Sequence, residues 1–247
     1  MRSAYSPPHL HRQTLYAATM QNIYTKERDG FAAYTRAAEA LQAATPSKCP
    51  RNPKGLQELY NSGRDVYDRY HKFIKRMSKA SPKGRGYVFR TKSKKQPPMK
   101  GIYRVLEKGV FKYNDDLTWE LDFSRVRDLV RGGIIDFTMR GLGAISEAIR
   151  MSDEVTVVRI KDRFNSPSSA GWADCMINFY FNDDPLKHVC EVQLIHFKML
   201  SQRTTQEGHG AYNIHRVYNS IAELEHCNSV IGALHIITRR SELTTHR

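Results

Sequence analysis

The stretch His188-Val189-Cys190-Glu191-Val192-Gln193, HVCEVQ, decides how this chain is read, because it runs into Leu194 and Ile195 like the middle of a β-sheet yet carries a carboxylate. Residues two apart share a face of a strand, so Glu191 and Gln193 point together while Val192 and Leu194 point the other way. An unpaired charge buried against a sheet costs roughly several kcal/mol, so Glu191 needs a salt bridge or a metal. Its partner must come from elsewhere in the chain.

Working back from Val189 to Ile195, a turn at Asn182 to Pro185 separates it from a second strand-like run, Cys175 to Phe181. Before that, KDRFNSPSSAGW, Lys161 to Trp172, is a polar loop in which Pro167 and Gly171 require a turn. Val155 to Lys161 alternates as another strand, and Arg140 to Met151 suits a helix. In RDLVRGGIIDF, Gly132 and Gly133 meet Ile134, Ile135 and Phe137 in a run that reads as a buried strand, with Asp128 and Arg131 at its entrance. On pattern alone, an acid so placed more often caps a helix or pairs with a cation than does chemistry. From Phe197 the pattern returns to helix, through QEGHGAYNIHRVYNSIAEL and again near Ser229 to Thr238. The order β, α, β, β, β, α predicts an α+β domain over residues 95–247, a mixed sheet of about four to five strands flanked by helices.

The N-terminal side reads as helix. Leu15, Met20, Ile23, Tyr24, Phe31, Tyr34 and Leu41 recur at three- and four-residue spacing from Gln13 to Ala44, with a break expected near Gly30. Three prolines in TPSKCPRNPKG, Thr45 to Gly55, end that helix. A second runs from Leu56 to Met77, its stripe of Leu56, Leu59, Tyr60, Val66, Tyr67, Tyr70 and Phe73 reading as a core face. From Lys72 onward cations accumulate through Lys75, Arg76, Lys79, Lys83, Arg85, Arg90, Lys92, Lys94 and Lys95 among glycines and prolines. This reads as a basic linker that is solvated or tracks a polyanion, and residues 1–94 as a helical extension ending in it. In MKGIYRVLEKGVFKY, Lys100, Arg104 and Lys108 recur every four residues, so on one helix they share a face. That face is either a phosphate-binding ridge or a solvent stripe paired with Glu107.

A formal charge of +14 over 247 residues points to an anionic partner, while 40% hydrophobic content suffices for a core. The four cysteines have no CxxC spacing, so neither a zinc site nor a disulfide framework is expected, and a reducing compartment fits. No apolar run approaches the roughly 20 residues that span a bilayer, so a cytoplasmic protein with no membrane partner is expected. Residues 1–26 hold no acidic side chain, which is weakly like an organelle import signal, against Pro7 and Pro8.

Four motifs in order, KGIYRVLEK, RDLVRGGII, the Lys161-Asp162, Pro167 and Gly171-Trp172 loop, and EVQL, resemble the RelA/SpoT synthetase domains of the DNA polymerase β-like nucleotidyltransferase superfamily. HRVY, His215 to Tyr218, adds a tail match. The resemblance, to a divergent member, implies a nucleotidyltransferase-like sheet and a Mg2+-dependent pyrophosphokinase. In that chemistry the 3′-hydroxyl of GDP or GTP attacks the β-phosphate of ATP, AMP leaves, and ppGpp or pppGpp forms. It implies that Asp128 and Glu191 are the catalytic, Mg2+-binding carboxylates, and that Lys100, Arg104, Lys108, Arg131 and Lys161 hold the ATP phosphates. Trp172, Gln193 and Arg163 would bind the acceptor, Trp172 replacing a stacking tyrosine. The family's lysine, asparagine, serine and histidine of the acceptor loop are here Ser168, Ala170, Asp174 and Met176, so a different acceptor remains open. The alternatives are transfer to the 3′ end of tRNA or another RNA, which the basic stretch 72–112 favours, and an inactive nucleotide- or RNA-binding module.

Overall fold

The computed structural model describes residues 8–46, 48–81, 87–88, 98–113, 119–169 and 171–204. Helices α1 (Pro8–Lys26), α2 (Arg28–Ala43) and α3 (Leu56–Met77) come first. A short strand β1 (Tyr87–Val88), a five-residue helix α4 (Ile102–Leu106) and a hairpin of β2 (Val110–Tyr113) and β3 (Trp119–Asp122) follow. Then come β4 (Arg131–Asp136), α5 (Met139–Arg150), β5 (Val155–Asp162), β6 (Cys175–Phe181), β7 (Cys190–His196) and α6 (Phe197–Thr204), the expected β, α, β, β, β, α order of an α+β fold. The five-stranded sheet is ordered β1-β4-β7-β6-β5 and is mixed: β4 runs parallel to β7, while the other pairings are antiparallel.

The alternation in each strand sends one set of side chains into a helical layer. Ile134, Val192, Leu194, Ile177 and Phe179 are fully buried in one cluster with Tyr34, Ala38 and Leu41 of α2, Tyr70, Phe73 and Ile74 of α3, and Leu142, Ile145 and Ile149 of α5. Each such side chain contributes about 1.5–3 kcal/mol by leaving water. Tyr70 stacks on Phe179 with centroids 5.9 Å apart, and Phe73 meets Phe181 edge-on at 5.8 Å. The N-terminal helices therefore share one hydrophobic core with the sheet. A second cluster joins Leu59 of α3 to Val105, Phe123, Val126 and Leu129, and seats the segment ahead of β4 against that helix.

Three elements differ from the sequence expectation. The first helix breaks at Glu27 rather than at Gly30; Gly30 instead marks a close approach, since a Cβ there would lie 3.2 Å from the Arg140 amide nitrogen. MKGIYRVLEKGVFKY is not one helix. Its last turn tightens through Lys108 N–H to Val105 O (2.9 Å) and Gly109 N–H to Leu106 O (3.0 Å), and the chain turns at Gly109 into β2. At Gly109 a Cβ would meet Phe123 and Leu121 within 3 Å, so only glycine lets the hairpin cross there. Finally, the basic stretch read as a linker from Lys72 begins inside α3, which ends at Met77 as expected, so Lys72, Lys75 and Arg76 are helical residues and Arg76 pairs with Glu154. The cations Lys83 to Lys95, the HRVY tail and the helix expected at Ser229 to Thr238 lie outside the described residues. Among the described residues no helix is long and apolar enough to cross a membrane.

His188, just ahead of β7, is fully buried, and Ser62 on α3 is its partner at 2.8 Å. The Ser62 hydroxyl donates to the Leu59 carbonyl (3.1 Å), so it accepts from His188 Nδ1–H and leaves Nε2 as the bare nitrogen. Nε2 is buried and finds no hydrogen-bond partner among the described residues. Burial pushes the His188 pKa from 6.5 down to about 4. Between those values the unfolded chain binds a proton that the folded protein excludes, so stability falls as pH drops through the window, by about 3 kcal/mol. Urea unfolding at pH 7 and pH 4 should show this loss, and His188→Gln should reduce it.

Candidate functional site

The face of the sheet opposite the helical layer carries polar side chains in rows fixed by strand register. Arg131, Glu191, Asn178 and Arg159 lie opposite one another across β4, β7, β6 and β5. One step along, the row is Gly133, Gln193, Met176 and Lys161. Arg163 continues the β5 column, its N–H donating to the Asp174 carbonyl at 2.8 Å. Glu191 and Gln193 do share a face, and the Gln193 Nε2 donates to Glu191 Oε1 at 3.3 Å. The Tyr70 hydroxyl donates to the Glu191 carbonyl at 2.5 Å, which ties this point of β7 to α3.

Asp128 is not on a strand. It lies three residues before β4, where the Glu191 N–H donates to Val130 O at 3.0 Å and holds this approach against β7. Its Oδ2 accepts from Lys100 Nζ at 2.5 Å and Lys108 Nζ at 2.8 Å, with Arg131 Nη1 at 3.6 Å. Lys100 and Lys108 thus converge without sharing a helical face: one precedes α4 on extended backbone, the other follows it in a turn, and both reach Asp128. Arg104, within α4, pairs with Glu107 instead. Lys100 is 4% exposed, and its N–H donates to the Leu129 carbonyl at 2.9 Å, so backbone and side chain are both anchored beside Asp128.

Burial and charge tune the three central groups in different directions. Burial raises the Asp128 carboxyl, but Lys108 and Lys100 outweigh it and hold the pKa below the usual carboxylate range. Burial pushes Lys100 down to about 8 against the pull of Asp128. Glu191, 8% exposed, is raised first by burial and then by the negative charge of Asp128, against Lys108 and Arg131. Among the described residues Asp128 Oδ1, which is buried, finds no hydrogen-bond partner. Two carboxylates, one with such an oxygen, are the donor set that Mg2+ takes from protein when phosphate oxygens and water complete its shell. Among the described residues no cluster of three or more His, Cys, Asp and Glu side chains gathers to hold a metal by itself.

The remaining candidates lie farther along the face. Lys161 is exposed on the edge strand, about 10 Å from β7 at the usual strand spacing. Arg163 is engaged by buried Asp174 (Nη1 to Oδ1 3.2 Å) and by the Met176 sulfur (3.1 Å). Gly171, at φ 78°, makes the expected turn, with its N–H donating to the Ser168 carbonyl at 2.7 Å. That turn directs Trp172 against the core, where its ring meets Tyr16 edge-on at 5.6 Å and the Arg203 guanidinium at 5.4 Å, so it is not a free stacking surface. The sequence reading passed over Asn178, a buried amide between Glu191 and Arg159 that donates to the Cys190 carbonyl at 3.2 Å. The signal was there: an asparagine at an alternating position of CMINFYF points to the same face as Glu191.

No protein-family model matches the chain, and no curated protein does. In structure the chain is similar to small alarmone synthetase 1 from Bacillus subtilis bound to its product pppGpp, at TM-score 0.44 and 12% identity, over 69% of this chain and 96% of that one. It is also similar to a GTP pyrophosphokinase family protein from Streptococcus pneumoniae, at TM-score 0.39 and 10% identity over 71% and 94%. Small alarmone synthetase 2 from Bacillus subtilis gives TM-score 0.39 and 13% identity over 76% and 92%. These likenesses are distant, and the chemistry of the face is read from its own residues.

Proposed function

We propose that this chain transfers the β,γ-pyrophosphoryl group of ATP to the 3′-hydroxyl of a guanosine nucleotide, GDP or GTP, with Mg2+ as cofactor. The observation that carries the reading is the Asp128 carboxylate, gripped by Lys100 and Lys108 beside Glu191 on the polar face of the sheet. In the reaction an oxygen–phosphorus bond forms between the 3′-oxygen and the β-phosphorus, and the bond from that phosphorus to the AMP oxygen breaks. Glu191, beside Asp128 on the same face, takes the hydroxyl proton. Lys100, Lys108 and Arg131 contact the phosphates and offset the charge that builds on them. Asp128 and Glu191 would hold the Mg2+, which when bound adds further charge compensation at the phosphates. Arg104 and Lys161 would meet outer phosphate oxygens only, while Gln193 orients Glu191 and faces the acceptor with Arg163; Trp172, packed against the core, takes no part in acceptor binding.

A second reading, transfer to the 3′ end of tRNA or another RNA, is supported by Arg159 and Lys161, exposed cations two residues apart on one face of the edge strand. A polyanion following that edge would gain from both. Incubation with Mg2+ and γ-labelled ATP, offering GDP, GTP or deacylated tRNA beside Glu191→Gln, tests the proposal. Label on GDP or GTP in the native protein alone is the expected result, and label on tRNA alone selects the second reading. No transfer to any acceptor, with ATP still bound, would reduce the chain to a binding module.

A further inference from the structure

Asn52 lies in the proline-rich link between α2 and α3, PRNP, which the sequence marks only as a helix breaker. It is nevertheless 3% exposed, and its polar groups face two segments far from it in sequence. Its Nδ2 donates to the Val126 carbonyl at 2.7 Å and more weakly to the Val189 carbonyl at 3.4 Å. Its Oδ1 accepts from the Val189 N–H at 2.6 Å, and its own N–H donates to the Ser124 carbonyl at 3.1 Å. A neighbouring bond, Phe123 N–H to the Lys54 carbonyl at 3.1 Å, continues the seam. Val126 stands two residues before Asp128, and Val189 stands two residues before Glu191. One side chain therefore brackets the two backbones that deliver the two carboxylates.

We propose that Asn52 is a positioning residue that sets the separation of Asp128 and Glu191, and through it the affinity of the pair for a divalent cation. The role rests on the reading that both carboxylates hold that cation. The bracket needs a primary amide, because one end must donate to carbonyls while the other accepts an N–H. Aspartate keeps the acceptor for Val189 but turns an oxygen towards the Val126 carbonyl. Alanine supplies neither and leaves buried carbonyls unpaired. The direct bond from the Glu191 N–H to Val130 O remains in both variants, so the strand stays attached and only the spacing loosens.

Mn2+, a spectroscopic stand-in for Mg2+, is titrated by electron paramagnetic resonance into the full chain and into Asn52→Ala, Asn52→Asp and Leu41→Ala. The last is a control that loses core contacts on α2, away from the carboxylates. Asn52→Ala is expected to weaken Mn2+ binding about tenfold or more, the effect typical of removing a group that orients a metal ligand. Asn52→Asp should weaken it at least as much, and it carries the test alone where the alanine variant does not fold. Leu41→Ala should bind as the native chain does. Equal affinity in native, alanine and aspartate forms would overturn the role of Asn52 alone, as would an equal loss in Leu41→Ala. Absence of Mn2+ binding in the native chain would overturn the metal reading together with it.

Discussion

Asp128→Asn is expected to lower pyrophosphoryl transfer by at least about a thousandfold, because it removes two charges from the site rather than one. Lys100 stays protonated at neutral pH only through Asp128: burial already holds its pKa near 8, well under the ordinary 10.5, and the carboxylate is the largest influence opposing that fall. Replacing it with a neutral amide sends Lys100 lower still, and the phosphate-facing cation is lost with the anion. Lys108, more exposed, loses its contact with the Asp128 carboxylate. The same reasoning gives a stability cost at pH 7 of about 3 kcal/mol, that of leaving one member of a buried ion pair without its counterpart. In the native protein the Lys100 burial penalty is present below pH 8 and relieved as pH rises towards 10.5, since there the unfolded chain binds the extra proton. In Asp128→Asn that relief begins at lower pH. Titration of the Lys100 side chain by NMR checks the mechanism apart from activity; a Lys100 pKa unchanged in Asp128→Asn would contradict it.

Lys100→Met is the complementary case, with a large loss of activity and a small change in stability. The methionine has similar length and no charge to bury, and Asp128 keeps Lys108 at 2.8 Å with Arg131 at 3.6 Å. Removing one member of a buried ion pair costs about 3–5 kcal/mol when it leaves the other charge unpaired, but Asp128 keeps two other cations, so unfolding free energy should move by less than about 1 kcal/mol. Transfer should fall by roughly 10²–10³, the usual cost of deleting one preorganised contact to developing charge. The lysine would then be present for function at the expense of the fold. Denaturant unfolding and label transfer on the same preparation check both halves. Full activity in Lys100→Met would remove Lys100 from the phosphate contacts.

The sheet was legible because its strands obey a simple alternation. Cys175 to Phe181 and Leu56 to Met77 begin and end where the residue pattern places them. Glu191 stood out for the same reason, as a carboxylate in a run otherwise fit for burial. The four-residue recurrence of Lys100, Arg104 and Lys108 misled about geometry. Helical spacing is only a permission, and Gly109 together with the strand-forming Val110 and Phe111 overrides it. Two of those cations still reach Asp128, delivered from the two ends of a five-residue helix that no periodicity encodes. Asn52 was invisible for another reason: its partners are 74 and 137 residues away, and an asparagine between prolines looks like any loop. Trp172 matched a motif position, but a motif does not say which side of a turn the ring leaves from. Here the turn at Gly171 sends it to the core.

The central claim is that Asp128 and Glu191 act as one cation site rather than as two separately paired acids. Its most direct test is a double-mutant cycle in Mn2+ binding with Asp128→Asn, Glu191→Gln and the double variant, each confirmed folded. If the carboxylates share the ion, each single substitution weakens binding strongly and the double variant is little worse than the weaker single. Independent, additive losses, or native affinity in either single variant, would show that the two carboxylates do not hold one ion.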